Sequence, residues 1–80
     1  MDKIRSLAIF LRVADTGSFS KCAAAMRIGQ PTVSKAIDAL ETELKAKLFN
    51  RNTRSIALTE EGLQFKERMG QELMETVELL

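Results

Sequence analysis

The sequence predicts a mainly α-helical fold: three helices with a small β-hairpin, followed by a longer fourth helix. Three observations carry that expectation. Apolar residues recur at three- and four-residue intervals through most of the 80-residue chain, which is the helical period. Punctuation falls between those runs, at Thr16-Gly17, at Gly29-Gln30-Pro31, at Asn50–Arg54 and at Thr59. Only the stretch from Leu48 to Leu58 abandons the period.

From about Lys3 to Asp15, Ile4, Leu7, Ala8, Phe10, Leu11 and Ala14 mark one face of an amphipathic helix. Gly17 stands where a left-handed cap would end it. Ser18 is placed to cap the next helix, Phe19 to about Arg27, whose Phe19, Cys22, Ala23 and Met26 follow i, i+3, i+4, i+7. Ala23-Ala24-Ala25 gives that helix strong propensity and a thin surface for close packing. After the turn Arg27-Ile28-Gly29, Pro31 suits a first helical turn, where its missing N–H has no intrahelical partner anyway. The third helix is expected from Gln30 to about Lys47. Val33, Ile37, Leu40 and Leu44 form its apolar stripe, and Pro31, Lys35, Asp38 and Thr42 lie opposite. Phe49, and then Ile56 and Leu58 in alternation, flank a polar stretch and read as a hairpin. Thr59 caps the fourth helix, with Glu60 and Glu61 favourably placed in its first turn. The apolar stripe of that helix is broader than one small body should cover. Its acidic opposite face argues against a membrane surface, so the expected cover is partly the first helix and partly a second copy of the chain. Gly62 and Gly70 lower helix propensity and make sense where something packs closely.

Composition removes several function classes. The chain has no His, Trp or Tyr and a single Cys, so neither a disulfide nor a multi-ligand zinc site can be assembled within it, and no nucleophile–base pair is evident. No catalytic, metal or cofactor residue is therefore nominated, and the chain is not expected to be an enzyme. Cys22, on an apolar face, reads as a small buried hydrophobe. No apolar run approaches the roughly 18 residues of a membrane span, and charged Asp2, Lys3 and Arg5 disfavour a secretory signal. The expected location is cytoplasmic, associated with the nucleoid. The net charge of +1 hides an asymmetry: residues 1–58 hold ten bases and five acids, whereas residues 59–80 hold two bases and six acids. A basic body suited to a polyanion, with an acidic tail, is one reading; an acidic protein partner is the alternative.

Two helices joined by a short Gly-containing turn, the second starting on polar side chains, form a helix-turn-helix signature, and a basic hairpin beside it is a wing. An α-helix fits the major groove and presents its N-terminal residues to base edges. Gln pairs with adenine and Lys reaches guanine O6 or N7, while Ser and Thr hydroxyls suit phosphates. Ser20, Gln30, Pro31, Thr32, Ser34 and Lys35 are the candidate contacts, with Arg51 and Arg54 in the wing. Arg54 sits at the hairpin tip, and Arg51 supports the wing or touches phosphate. Asp38 is expected at the groove's rim. The polar start of the third helix favours DNA over a protein partner, which would more often meet exposed apolar anchors.

The residues Gly17-Ser18-Phe19-Ser20, Ala23, Gln30-Pro31-Thr32-Val33-Ser34, Ile37, Leu40-Glu41, Leu44, Leu48-Phe49, Arg51, Arg54 and Leu58-Thr59-Glu60-Glu61-Gly62 together resemble the N-terminal DNA-binding domain of LysR-type transcriptional regulators. The resemblance covers about residues 4–62. It implies a winged helix-turn-helix over 1–59, with the helix-turn-helix at about 19–38 and the wing at about 48–58. A linker helix over 60–80 would pair two chains, and a larger C-terminal effector-binding domain, absent from this chain, would sense a small-molecule inducer. It also implies a homodimer on an inverted-repeat operator of double-stranded DNA, with Gln30, Pro31, Thr32, Ser34 and Lys35 in the major groove. Leu63, Met69, Leu73, Val77 and Leu80 are the expected dimerisation residues. Four positions depart from the family's pattern: Gly29 replaces a capping Ser, Cys22 an Ala, Lys45 a Gly and Lys35 an Arg. The chain stops at Leu79-Leu80 inside an amphipathic helix without a C-cap, as a piece of a longer protein would.

Overall fold

The computed structural model describes residues 3–51 and 56–79, with side chains described as far as Gly70. Its elements are α1 (Lys3–Thr16), α2 (Phe19–Met26), α3 (Gln30–Leu44), β1 (Phe49–Asn50), β2 (Ala57–Leu58) and α4 (Glu60–Leu79). The two short strands pair antiparallel, Phe49 opposite Leu58 and Asn50 opposite Ala57. Three helices packed on one another and a hairpin leading into a long helix make the architecture a winged helix-turn-helix, as the sequence predicts.

Local chemistry sets the boundaries. Gly17 takes φ +67° and donates its N–H to the Val13 carbonyl at 2.8 Å, closing α1 in a conformation that costs glycine little. The Ser18 hydroxyl accepts the Lys21 N–H at 3.2 Å and starts α2. Both α2 and α3 end on a left-handed residue that is not glycine, Arg27 at φ 57° and Lys45 at φ 55°. Each is followed by the long-range bond of a Schellman closure, Ile28 N–H to Ala23 and Ala46 N–H to Glu41. The α3 expectation is thereby corrected: the helix stops at Leu44 rather than about Lys47, because Lys45 turns the backbone out of the helix. Lys45 is also the position where the sequence departs from a usual Gly.

The core gathers Ile9, Phe10 and Val13 of α1, Cys22 and Ala23 of α2, Val33, Ala36, Ile37 and Leu40 of α3, and Leu48, Phe49 and Met69. The four phenylalanines of the chain knit these pieces together. Phe10 lies 5.4 Å from Phe49 and 5.1 Å from Phe65, and Phe19 lies 6.4 Å from Phe49. Two residues placed on apolar faces by period are less covered than expected: Ile4 is 76% exposed and Leu44 38%. Helical spacing defines a face, but the end turns of a face can run past whatever it packs against.

α4 is clasped to the body at its start. The Thr59 N–H donates to the Leu48 carbonyl at 3.0 Å, and its hydroxyl donates to the Lys47 carbonyl and accepts the Gly62 N–H at 3.0 Å. At Gly62 a Cβ would stand 2.1 Å from the Leu48 carbonyl oxygen, so the close packing expected there is present. Gly70 differs, with nothing within 4 Å of where its Cβ would be. Met69, expected at a dimer seam, is corrected too. It is 4% exposed and belongs to the core of its own chain, because one flank of the α4 stripe is already covered from within. Leu63 remains 48% exposed. Leu80 and the side chains of Leu73 and Val77 lie outside the described residues, as does Arg54.

Candidate nucleic-acid interface

The turn Arg27–Gly29 delivers the start of α3 to the surface. Gln30, Pro31 and Lys35 are exposed, Thr32 and Ser34 are half-buried, and Val33, Ala36 and Ile37 between them are buried against α1 and α2. Residues with opposite tasks therefore alternate on one helix, and packing of the apolar set fixes where the polar set points. Gly29 offers no side-chain cap, so the positive end of the α3 dipole carries no competing side-chain acceptor there. Ser20 is exposed on the first turn of α2, its hydroxyl 3.0 Å from that of Ser18.

Ser20, Gln30 and Arg51 come together around one shallow depression of about 310 Å³, lined also by Gly17, Ser18, Phe19 and Ile56. The start of α2, the start of α3 and the base of the hairpin thus share a face. Arg51 is engaged within the protein. Its Nη2 donates to Glu41 Oε1 at 3.1 Å and to Asp38 Oδ1 at 3.3 Å, and its guanidinium lies 5.0 Å from the centre of the Phe19 ring. These contacts tie the residue after β1 to α3 and to the first residue of α2.

Asp38, expected at a groove rim, meets Arg51, and its side chain is 62% exposed. Glu41 was not a candidate, yet it is the buried carboxylate on which the arrangement turns. It is 7% exposed, and its Oε2 accepts the Leu48 N–H at 2.8 Å. The signal was present in the spacing: Val33, Ile37 and Glu41 are successive i, i+4 positions, so a lone carboxylate falls on the apolar face of α3. Cys22 is fully buried, its Sγ 3.8 Å from the Ile9 carbonyl and 3.8 Å from the Met26 sulfur. Burial pushes its thiol up from the ordinary 9.0, against a smaller opposing pull from Arg12, as befits a small hydrophobe. Among the described residues no His/Cys/Asp/Glu cluster could hold a metal ion, and no helix is long and apolar enough to cross a membrane.

Residues 4–63 match the family model described as the bacterial regulatory helix-turn-helix protein, lysR family. The chain belongs to this family. Among relatives, it is 39% identical over 62 residues to the HTH-type transcriptional activator AaeR of Escherichia coli (strain K12), covering 78% of this chain and 20% of AaeR. It is 48% identical over 59 residues to an uncharacterised HTH-type transcriptional regulator of Azotobacter vinelandii, covering 74% of this chain and 41% of that protein. The chain therefore spans a fifth to two-fifths of the length of these curated relatives.

Among solved structures, the BenM DNA-binding domain in its benA site 1 DNA complex superposes with a TM-score of 0.87 at 33% identity, covering 99% of this chain and 88% of that one. The CbnR DNA-binding domain–DNA complex gives 0.86 at 31% identity, covering 98% and 88%. The LysR-family winged helix-turn-helix DNA-binding domain is thus the fold of this chain, and the exposed start of α3 is the second helix of its helix-turn-helix.

Proposed function

We propose that this LysR-family chain binds double-stranded DNA sequence-specifically through the start of α3 and regulates transcription as a homodimer on an inverted-repeat operator. The observation that carries the reading is the division of α3, with Gln30, Pro31 and Lys35 in solvent while Val33, Ala36 and Ile37 are locked in the core. A helix held on one side and polar on the other can enter a major groove without unfolding anything. The BenM and CbnR domains, solved as DNA complexes, share this fold along nearly the whole chain, which supports the same use of it here.

In this reading Gln30 and Lys35 face base edges, and Pro31, Thr32 and Ser34 follow the groove. Ser20, at the start of α2, donates to a phosphate, and Arg54 carries the wing's charge toward the minor groove or backbone. Two chains pair through α4, with Leu63 in the seam, and the pairing sets the spacing of the half-sites. A C-terminal domain beyond this chain binds a small-molecule inducer, the protein works in the cytoplasm at the nucleoid, and the chain itself performs no catalysis.

The test starts with selection of bound duplexes from a random library. Lys35→Ala is then measured by fluorescence anisotropy on the selected duplex and on a scrambled one. Loss of about 1–2 kcal/mol on the selected duplex with little change on the scrambled one is expected. Equal losses on both reject a base-reading role, and failure to enrich any sequence rejects specific binding.

A further inference from the structure

We propose that Arg51 is a positioning residue of the DNA-binding face, holding the wing on α3 through Glu41 and Asp38 instead of contacting DNA; this rests on the reading of α3 given above. Three contacts from two helices converge on it. Glu41, nearly buried in the last turns of α3, spends one carboxylate oxygen on the Leu48 amide ahead of β1 and the other on Arg51, the residue directly after β1. Asp38, one turn earlier on α3, receives the same Arg51 nitrogen at 3.3 Å. The Phe19 ring, at the first residue of α2, lies beneath the guanidinium at 5.0 Å.

Both ends of β1 are therefore fastened to one carboxylate of α3, and the hairpin leaves the body from a fixed point. Moving the guanidinium onto a phosphate would strip Glu41 of its cationic partner and leave a buried carboxylate held by a single amide, which is costly. Asp38, on the polar face of α3, would meanwhile stand uncompensated toward the DNA backbone. Keeping Arg51 in place satisfies both carboxylates. A lysine cannot replace it, because a point charge does not match two carboxylates and an aromatic face at once.

The experiment uses the 80-residue chain as wild type, Arg51→Lys, Arg51→Ala, Glu41→Gln and the Glu41→Gln/Arg51→Ala pair. Anisotropy on a library-selected duplex is recorded over a range of NaCl concentrations, at a temperature where circular dichroism shows every variant folded. The expected result is about tenfold weaker binding for Arg51→Ala, a comparable loss for Arg51→Lys and for Glu41→Gln, and no further loss in the pair. The slope of log K against log[salt] stays that of wild type. A phosphate contact would do the opposite: Arg51→Lys would bind like wild type, Glu41→Gln would change nothing, and the slope for Arg51→Ala would fall by about 0.9. That outcome overturns the proposal. Amide hydrogen exchange at Leu48, measured without DNA, separates this inference from the functional reading. Severalfold faster exchange in Arg51→Ala than in wild type supports the strut, and unchanged exchange overturns it. Failure of the wild type to bind any duplex counts against the functional reading alone.

Discussion

In the first turns of α3, Gln30, Pro31 and Lys35 stand in solvent and the N-cap is a glycine without a capping side chain; in its last turns, Ile37, Leu40 and Glu41 are buried and the helix closes on Lys45. The second half is further tied to the loop before β1 by the Glu41 carboxylate on the Leu48 amide. The difference teaches how a small domain holds a reading surface rigid without burying it. Packing along the buried side of the whole helix, joined near its end by side-chain hydrogen bonds, fixes its axis, and the exposed side of the first turns is left with unspent donors and acceptors. The exposed Lys3–Glu43 pair at 3.4 Å, also on the second half, contributes little by comparison, since both side chains are more than half in water.

That contrast makes stability and binding separable, and substitutions should sort along the helix. Ile37→Ala, in the anchored half, removes a fully buried side chain and should cost about 3 kcal/mol, read as a fall of more than 10 °C in a thermal melt by circular dichroism. A loss under about 1 kcal/mol would break the comparison. Next comes Gly62→Ala, where the new methyl meets the Leu48 carbonyl beneath that same half. Because a backbone oxygen must yield, about 2 kcal/mol should be lost in urea denaturation.

Lys45→Gly runs the other way. Relieving a left-handed non-glycine cap at φ 55°, less the added freedom of the unfolded chain, should raise the denaturation midpoint by an equivalent of about 0.5–1 kcal/mol. Smallest of all on stability are Gln30→Ala and Lys35→Ala in the exposed half. Both should melt within about 0.5 kcal/mol of wild type while binding the selected duplex more weakly. A melt shifted as far as that of Ile37→Ala would show that the start of α3 is structural.

Much of this contrast was legible in the residues. The i, i+4 run of Val33 and Ile37, the Pro31 start and the Ser18 cap are local signals, and local signals survive folding because they act within one turn of the chain. The helix-turn-helix and its candidate face followed from them. What period could not provide was which neighbour covers a face. Leu63 and Met69 share one stripe of α4, yet Met69 is buried by its own chain and Leu63 stands half in solvent. Ile4 shows the same limit at the start of α1. The partners of Arg51 were hidden for a related reason, since a side chain that pairs 10 and 13 residues away depends on how the hairpin docks. The end of α3 was misplaced because its left-handed cap is a lysine, which carries no stop signal.

The most direct measurement is a two-dimensional amide NMR titration of the 80-residue chain with a library-selected duplex. The account predicts that the largest shifts and the strongest protection gather at Ser20 and from Gln30 to Lys35, leaving the buried second half of α3 little changed. Shifts confined to the second half of α3 or to α4, with Gln30 through Lys35 unmoved at saturation, would contradict it.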